Sequence, residues 1–299
     1  MTGPVWLDGG VATELRRAGL AVRAPWWTTR ALLTDANRTV LRGIHERFVT
    51  AGARVITAAT FRCNLRALRA NGLDAAGLGW MVHAAVGVAQ AARLAADVPG
   101  VEVAGSMAPV EDCYRPDLVP PDDDLRTEHR WLATELSRAR ADLVLVETMN
   151  TTREAVIAVE EVRAAGLRAW VSFVCEGTRL LSGEDLAAAA RLAESAGAEA
   201  VLVNCTTPAD TTRCLETLAG NGPGVFGGYP NLEDRSGVPQ WTDVDEVLPS
   251  SATPEEFAAS VRYWVEELGA SVVGGCCGCT PEHLAAAVSV VPSVGVRLA

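Results

Sequence analysis

An apolar run of three to five residues, a turn, and then a longer Ala/Leu/Arg/Glu stretch with helical spacing recur eight times along this chain. Alternation that regular leaves few folds open. The apolar runs cover residues 5–7, 54–57, 101–104, 143–146, 169–173, 200–203, 225–229 and 271–273. All are short and mostly apolar, which suits parallel strands covered on both faces. No Gly/Ser linker, low-complexity tract or composition break separates the units. The pattern predicts an α/β fold, a single (β/α)8 barrel of the TIM type, with residues 1–299 forming one domain. An open doubly wound sheet is the rival, disfavoured because no Gly-x-Gly-x-x-Gly follows the first run.

Helix starts between the runs are marked by side chains that satisfy free amides, or by prolines that have none to satisfy. Thr151-x-x-Glu154 and Thr253-Pro254-Glu255-Glu256 have capping-box spacing, while Thr207-Pro208 and Thr280-Pro281 pair a cap with a proline in the first turn. Over residues 35–52, Val40, Leu41, Ile44, Phe48 and Val49 share one side, and Gly52 suits a left-handed stop. Residues 109–121, with Asp122-Asp123-Asp124 after them, read as a loop over one barrel mouth.

Charge narrows the partners. With 26 Lys plus Arg against 37 Asp plus Glu, the net charge of −11 offers no electrostatic footprint for a phosphate backbone, so no nucleic acid is expected. Neither a membrane-length apolar stretch nor a signal-peptide pattern is present, and a soluble, cytoplasmic protein is expected, monomeric or weakly self-associating. The eight cysteines of such a chain read as thiols.

In a barrel, chemistry collects where strands end, so the residues closing each run are the candidates. They are Asp8, Thr60 with Phe61, Ser106, Glu147, the 173–175 stretch, Asn204 with Cys205, Tyr229 with Asn231, and Cys276 with Cys277. Cys276-Cys277 lies inside Gly274-Gly275-Cys-Cys-Gly278, 71 positions beyond Cys205. Zinc favours thiolate, and a catalytic site keeps three protein ligands and one exchangeable position. Flanking glycines let two neighbouring thiolates face one ion. Cys205 taken alone fits a core thiol equally well; Cys63, Cys175 and Cys214 read as small core hydrophobes, and Cys279 as loop packing or a spare thiol. Asp8 reads as an N-cap or a ligand-facing carboxylate, Glu147 as ligand-facing. Two carboxylates beside an open zinc position suit a substrate that carries an ammonium group and a soft donor atom. His45, His83, His129 and His283 lie in helical stretches without metal spacing and read as surface or packing residues. Trp26-Trp27 after Pro25, together with Phe61, could wall in a cationic sulfonium by their π faces.

Taken together, Asp8-Gly9-Gly10-x-x-Thr13-Glu14-Leu15, Ile56-Thr57-x-x-Thr60-Phe61, Gly105-Ser106-x-x-Pro109, Glu147-Thr148, Val203-Asn204-Cys205, Tyr229-Pro230-Asn231 and Gly274-Gly275-Cys276-Cys277-Gly278 resemble the homocysteine S-methyltransferase family, over residues 8–283. The resemblance implies a Zn2+ barrel with Cys205, Cys276 and Cys277 as metal ligands. It also implies Asp8 and Glu147 as the catalytic carboxylates that contact the amino group of an amino-acid thiol. Thr60, Phe61, Ser106, Asn204 and Asn231 are expected to complete the substrate-binding wall. Because the chain stops soon after the eighth unit, it is similar to the short type that uses S-methylmethionine or S-adenosylmethionine to make methionine from homocysteine. The 110–116 loop and the Arg62-Cys63-Asn64 segment depart from the family pattern. They leave selenocysteine or a natural-product thiol open as acceptor. A zinc hydrolase and a non-catalytic thiol redox sensor are the rival classes.

Overall fold

The computed structural model describes residues 3–24, 26–238 and 246–291. Pro25, part of the expected aromatic entry, lies outside the described residues. Eight parallel strands form one sheet: β1 (Val5–Trp6), β2 (Val55–Thr57), β3 (Glu102–Met107), β4 (Leu143–Met149), β5 (Arg168–Phe173), β6 (Ala200–Asn204), β7 (Phe226–Tyr229) and β8 (Val272–Val273). Each pairs with its chain neighbours, and β1 pairs with β8 through Val5↔Val272 and Trp6↔Val273. A parallel bridge, Leu7↔Val55, joins β1 to β2 and closes the ring, with the Asp8 N–H donating to the Val55 carbonyl at 3.0 Å. All eight expected strands are present, and closure excludes the open-sheet rival.

Among the described residues ten α-helices accompany the strands: α1 (Val11–Arg17), α2 (Asp35–Ala51), α3 (Leu65–Ala70), α4 (Ala75–Ala96), α5 (Asp122–Arg138), α6 (Thr152–Ala164), α7 (Leu186–Ser195), α8 (Pro208–Asn221), α9 (Pro254–Glu266) and α10 (Pro281–Val290). The first two units carry extra pieces, α1 with a 3-10 helix over Trp27–Leu32, and α3, which stand at the mouth where strands end. None of these helices is long and apolar enough to cross a membrane.

Alternation along each strand sorts side chains into two layers. Leu7, Val55, Ala104, Leu143, Leu145, Trp170, Ala200, Leu202 and Val272 fill the barrel interior. Trp6, Ile56, Val103, Val144, Val146, Val171 and Val201 point outward to helix residues such as Leu41, Ile44, Phe48, Leu136, Val162 and Trp264. Phe48 is fully buried, and truncating it to Ala would cost roughly 3–5 kcal/mol.

The caps explain where the helices begin. Thr253 and Glu256 form a reciprocal capping box, and Thr207 accepts from the Asp210 N–H. Thr151 accepts from Glu154 N–H, but the Glu154 carboxylate turns away, accepting instead from the Val110 N–H at 2.7 Å and facing His129 at 3.1 Å. The expected box is therefore only half formed. At Thr280 the partner is His283, whose Nδ1 accepts from the Thr280 N–H. Asp122, Asp123 and Asp124 form the first turn of α5, where the helix dipole favours negative charge; they do not extend the loop before it. A short antiparallel hairpin, Cys175–Glu176 with Arg179–Leu180, follows β5 and was not legible in the sequence.

Candidate metal centre and substrate cavity

The inward positions of the strands change character one step above the apolar interior. Strict alternation carries Ser106, Glu147, Ser172, Asn204 and Tyr229 onto a polar layer. On β4 the pairing with β5 runs from Leu143↔Arg168 to Val146↔Val171, then resumes at Met149↔Phe173. Two residues, Glu147 and Thr148, thus oppose one. This bulge bends the strand and aims Glu147 at the cavity. Thr148 sits at φ 59°, a left-handed conformation costly for a β-branched residue. The Asn204 amide holds it there: Oδ1 accepts the Thr148 N–H at 2.9 Å and Nδ2 donates to the Thr148 hydroxyl at 2.8 Å.

Glu147 is buried among neutral donors. Ser106 Oγ donates to Oε1, and the Tyr229 hydroxyl donates to Oε2 at 3.2 Å. Ser172 links Tyr229 to Asn204, at 2.6 and 2.7 Å. Burial pushes Glu147 up to about 7, opposed by Ser106 and Tyr229 and reinforced by Asp8 and Cys277. Asp8 accepts from the Thr57 N–H at 2.7 Å and the Thr57 hydroxyl at 2.9 Å. Burial likewise pushes it up to about 7, against those two bonds. Asp8 does not cap α1: its N-cap is Gly10, without a side-chain bond.

Cys205, Cys276 and Cys277 meet beside these carboxyls, their sulfurs all within 4.8 Å of one another. Cys205 and Cys276 are 2.6 Å apart and Cys276 and Cys277 4.0 Å. Three sulfurs bound to one zinc at about 2.3 Å would stand roughly 3.8 Å apart in a tetrahedron, a span this cluster brackets. No other three His, Cys, Asp or Glu side chains gather in this way among the described residues. Cys205 follows the last residue of β6 and, at φ 50°, leaves the strand in a left-handed turn. Gly275 is required for close approach: an added Cβ would lie 2.1 Å from Cys279 Sγ. Gly278, at φ 77°, provides the turn after the pair. Cys277 is held well below the ordinary thiol range, first by hydrogen bonding with Cys205, then with Cys276, and by the charges of Arg16 and Arg235.

A cavity of about 190 Å³ opens over the cluster. Asp8, Phe61, Ser106, Glu147, Cys205, Cys276 and Cys277 line it, with Trp27, Arg62, Tyr114 and Tyr229. The other expected wall residues lie elsewhere. Thr60 is fully buried, donating to the Ser106 carbonyl and accepting the Ser106 N–H, both at 2.8 Å. Asn204 lies beneath the floor, on Thr148. Asn231 lines a neighbouring cavity and accepts the Glu233 N–H at 2.8 Å. Trp26 packs on the core while Trp27 faces the cavity. Tyr229 lines the cavity where Asn231 was expected, since it still belongs to the strand and points inward. Trp27, expected in an aromatic wall, lines the cavity from the start of the 3-10 helix, whereas Arg62 and Tyr114 were not singled out as site residues; they stand on loops, where alternation gives no direction.

Of the remaining cysteines Cys113 lines the cavity, and the other four are packing residues. Cys63 is buried and pushed up to about 12 by that burial. Cys175, Cys214 and Cys279 are buried as well, and Cys279 lies under Gly275 outside the metal cluster. His45 and His129 are buried within α2 and α5, and His83 pairs with Glu135 at 3.1 Å.

Residues 5–291 match the family model described as homocysteine S-methyltransferase. Homocysteine S-methyltransferase YbgG of Bacillus subtilis (strain 168) is 27% identical over 295 residues, covering 93% of this chain and 91% of that protein. Selenocysteine Se-methyltransferase of Brassica oleracea var. italica is 25% identical over 313 residues, covering 94% and 86%. The metallated crystal structure of the homocysteine methyltransferase MmuM from Escherichia coli superposes with a TM-score of 0.82 at 25% identity, covering 96% of each chain.

Proposed function

Because the chain belongs to the homocysteine S-methyltransferase family, we propose that it moves a methyl group from S-methylmethionine or S-adenosylmethionine to the sulfur of homocysteine, giving methionine. The observation that carries this reading is the convergence of three thiols, within 4.8 Å of one another, with two buried carboxyls on one cavity. The all-sulfur donor set fits zinc, with Cys205, Cys276 and Cys277 as its ligands. Zinc held there would take the place of the substrate thiol's proton at neutral pH, where a free alkyl thiol is mostly protonated.

The chain's own residues do the rest. Asp8 and Glu147 receive the acceptor's ammonium group, which restores to each the ionised form that burial opposes. Ser106 and Tyr229 fix the Glu147 carboxylate, so it meets the substrate already oriented. Leu7, Val22, Ala58 and Leu145 keep the cavity dry. The acceptor sulfur attacks the methyl carbon as the donor's S–CH3 bond breaks. The electron pair stays on the donor sulfur, which leaves as a neutral thioether, so no protein acid or base is needed for the transfer. Residues 1–299 act as one domain in this reading, in the cytoplasm, with small molecules as partners.

The test is incubation of the zinc-loaded protein with homocysteine and each donor in turn, with products identified by mass. Methionine formation that requires the metal is expected. Methylation of selenocysteine but not homocysteine would move the assignment to a selenol acceptor, and no methyl transfer to any thiol or selenol would overturn it.

A further inference from the structure

The cavity contains one charge that methyl transfer, as set out above, leaves unused. Arg62 follows Phe61 beyond β2, and its guanidinium carbon lies 5.3 Å from the Trp27 ring centroid and 5.2 Å from that of Phe61. Nη1 donates to the Glu111 carbonyl at 2.9 Å, which fixes the group's orientation. Nε is buried and has no hydrogen-bond partner. No carboxylate lies within ion-pair distance of Arg62 among the described residues. The other arginine of the wall differs, since Arg16 meets Glu233 at 3.4 Å.

A guanidinium cannot shed its charge, and burying one of its donors without a partner costs free energy. Trp27 turns toward this group from a left-handed conformation, φ 48°, a strained backbone at the cavity wall. Two rings and a carbonyl therefore hold a planar cation at the cavity wall, with Nε unpartnered and no counter-ion among the described residues. The acids of the same cavity, Asp8 and Glu147, supply the opposite sign. A space with paired acids in one part and an unpaired guanidinium in another is complementary to a zwitterion.

We propose that Arg62 is the carboxylate-recognition residue of this enzyme, selecting amino-acid substrates over their decarboxylated counterparts. The inference rests on the methyl-transfer reading for the identity of the substrates. Both substrates of that reaction carry an α-carboxylate, and the guanidinium recognises the same chemistry in either. A donor or acceptor lacking the carboxylate meets an uncompensated cation instead, so the arrangement rejects as well as selects.

Four ligands and two variants test it. The acceptor arm compares homocysteine with 3-aminopropane-1-thiol, and the donor arm compares S-methylmethionine with (3-aminopropyl)dimethylsulfonium. In Arg62→Gln the KM of the carboxylate-bearing substrate should rise roughly 10- to 100-fold, the worth of hydrogen bonds to a charged group, with kcat little changed. The decarboxylated analogue in that arm should bind no worse, and better to the extent that the cation had repelled it, so the wild-type preference collapses in one arm and survives in the other. The affected arm identifies whose carboxylate is bound. Arg62→Lys should restore part of the preference. Calorimetric titration of the same four ligands into wild type and Arg62→Gln reads the preference without turnover, so failure of the proposed reaction is distinguishable from failure of this inference. Equal handling of carboxylated and decarboxylated ligands by the wild type in both arms would overturn it, as would a uniform weakening of all four by Arg62→Gln.

Discussion

The two mouths of the barrel treat charge in opposite ways. Where the strands begin, Arg168 pairs with Glu102 at 2.7 Å and with Glu199 at 2.9 Å, and Arg93 with Asp142 at 2.8 Å. Those groups are partly exposed, and each has its counter-charge within the chain. Where the strands end, Asp8 and Glu147 are buried against neutral donors, three thiols crowd together, and Arg62 has no counter-ion among the described residues. One end closes its electrostatics on folding and the other leaves them open for something that enters. The same eight strands support both, so function in this molecule is a matter of which mouth a charge occupies.

Removing one sulfur should mark the contrast most sharply. Cys277→Ala should lose stoichiometric zinc, measured by elemental analysis, and methyl transfer by several orders of magnitude, with no comparable loss for any single change at the opposite mouth. Next in size, Glu147→Gln should retain zinc but raise the KM for homocysteine by roughly 10- to 100-fold, the value of a charged hydrogen bond. Unchanged KM in that variant would mean the carboxylate does not meet the ammonium.

The pH dependence of stability should separate the mouths too. Asp8 and Glu147 bind protons more tightly folded than unfolded, so folding takes up protons at pH values between their ordinary values, 3.8 and 4.5, and about 7. Their contribution is fully present below about pH 4 and is lost as pH rises toward 7. Thermal melts of the ligand-free protein should therefore show Asp8→Asn flattening this fall by a few kcal/mol at most, because each tenfold gain in proton affinity is worth about 1.4 kcal/mol. A wild-type and variant difference that stays constant across this range would contradict the burial of Asp8. The smallest effect is expected from Arg168→Ala, about 1 kcal/mol or less in denaturant unfolding, with kcat and KM intact.

The strands were legible because each lies between a packed interior and a helix layer, so its residues are apolar on both faces. The sulfurs were legible because adjacent cysteines among glycines suit few purposes. Polar residues at strand ends were harder to sort. Asn204, Thr60 and Asn231 look like ligand contacts in a sequence, yet each satisfies a backbone group that leaving the sheet would strand. The bulge at Glu147 and Thr148 is equally silent, because it depends on the β5 register across from it. Arg62 and Tyr114 face the cavity through loop conformation, which no period announces.

Closing β1 between β2 and β8 also governs what can exist during synthesis. A ribosome delivers Asp8 long before Cys277, and until β8 emerges β1 lacks its β8 partner and only one of the three sulfurs is present. No shortened nascent chain can hold the metal or the cavity, and its open apolar edge needs shielding from other chains. Activity therefore arrives all at once, when the last strand meets the first.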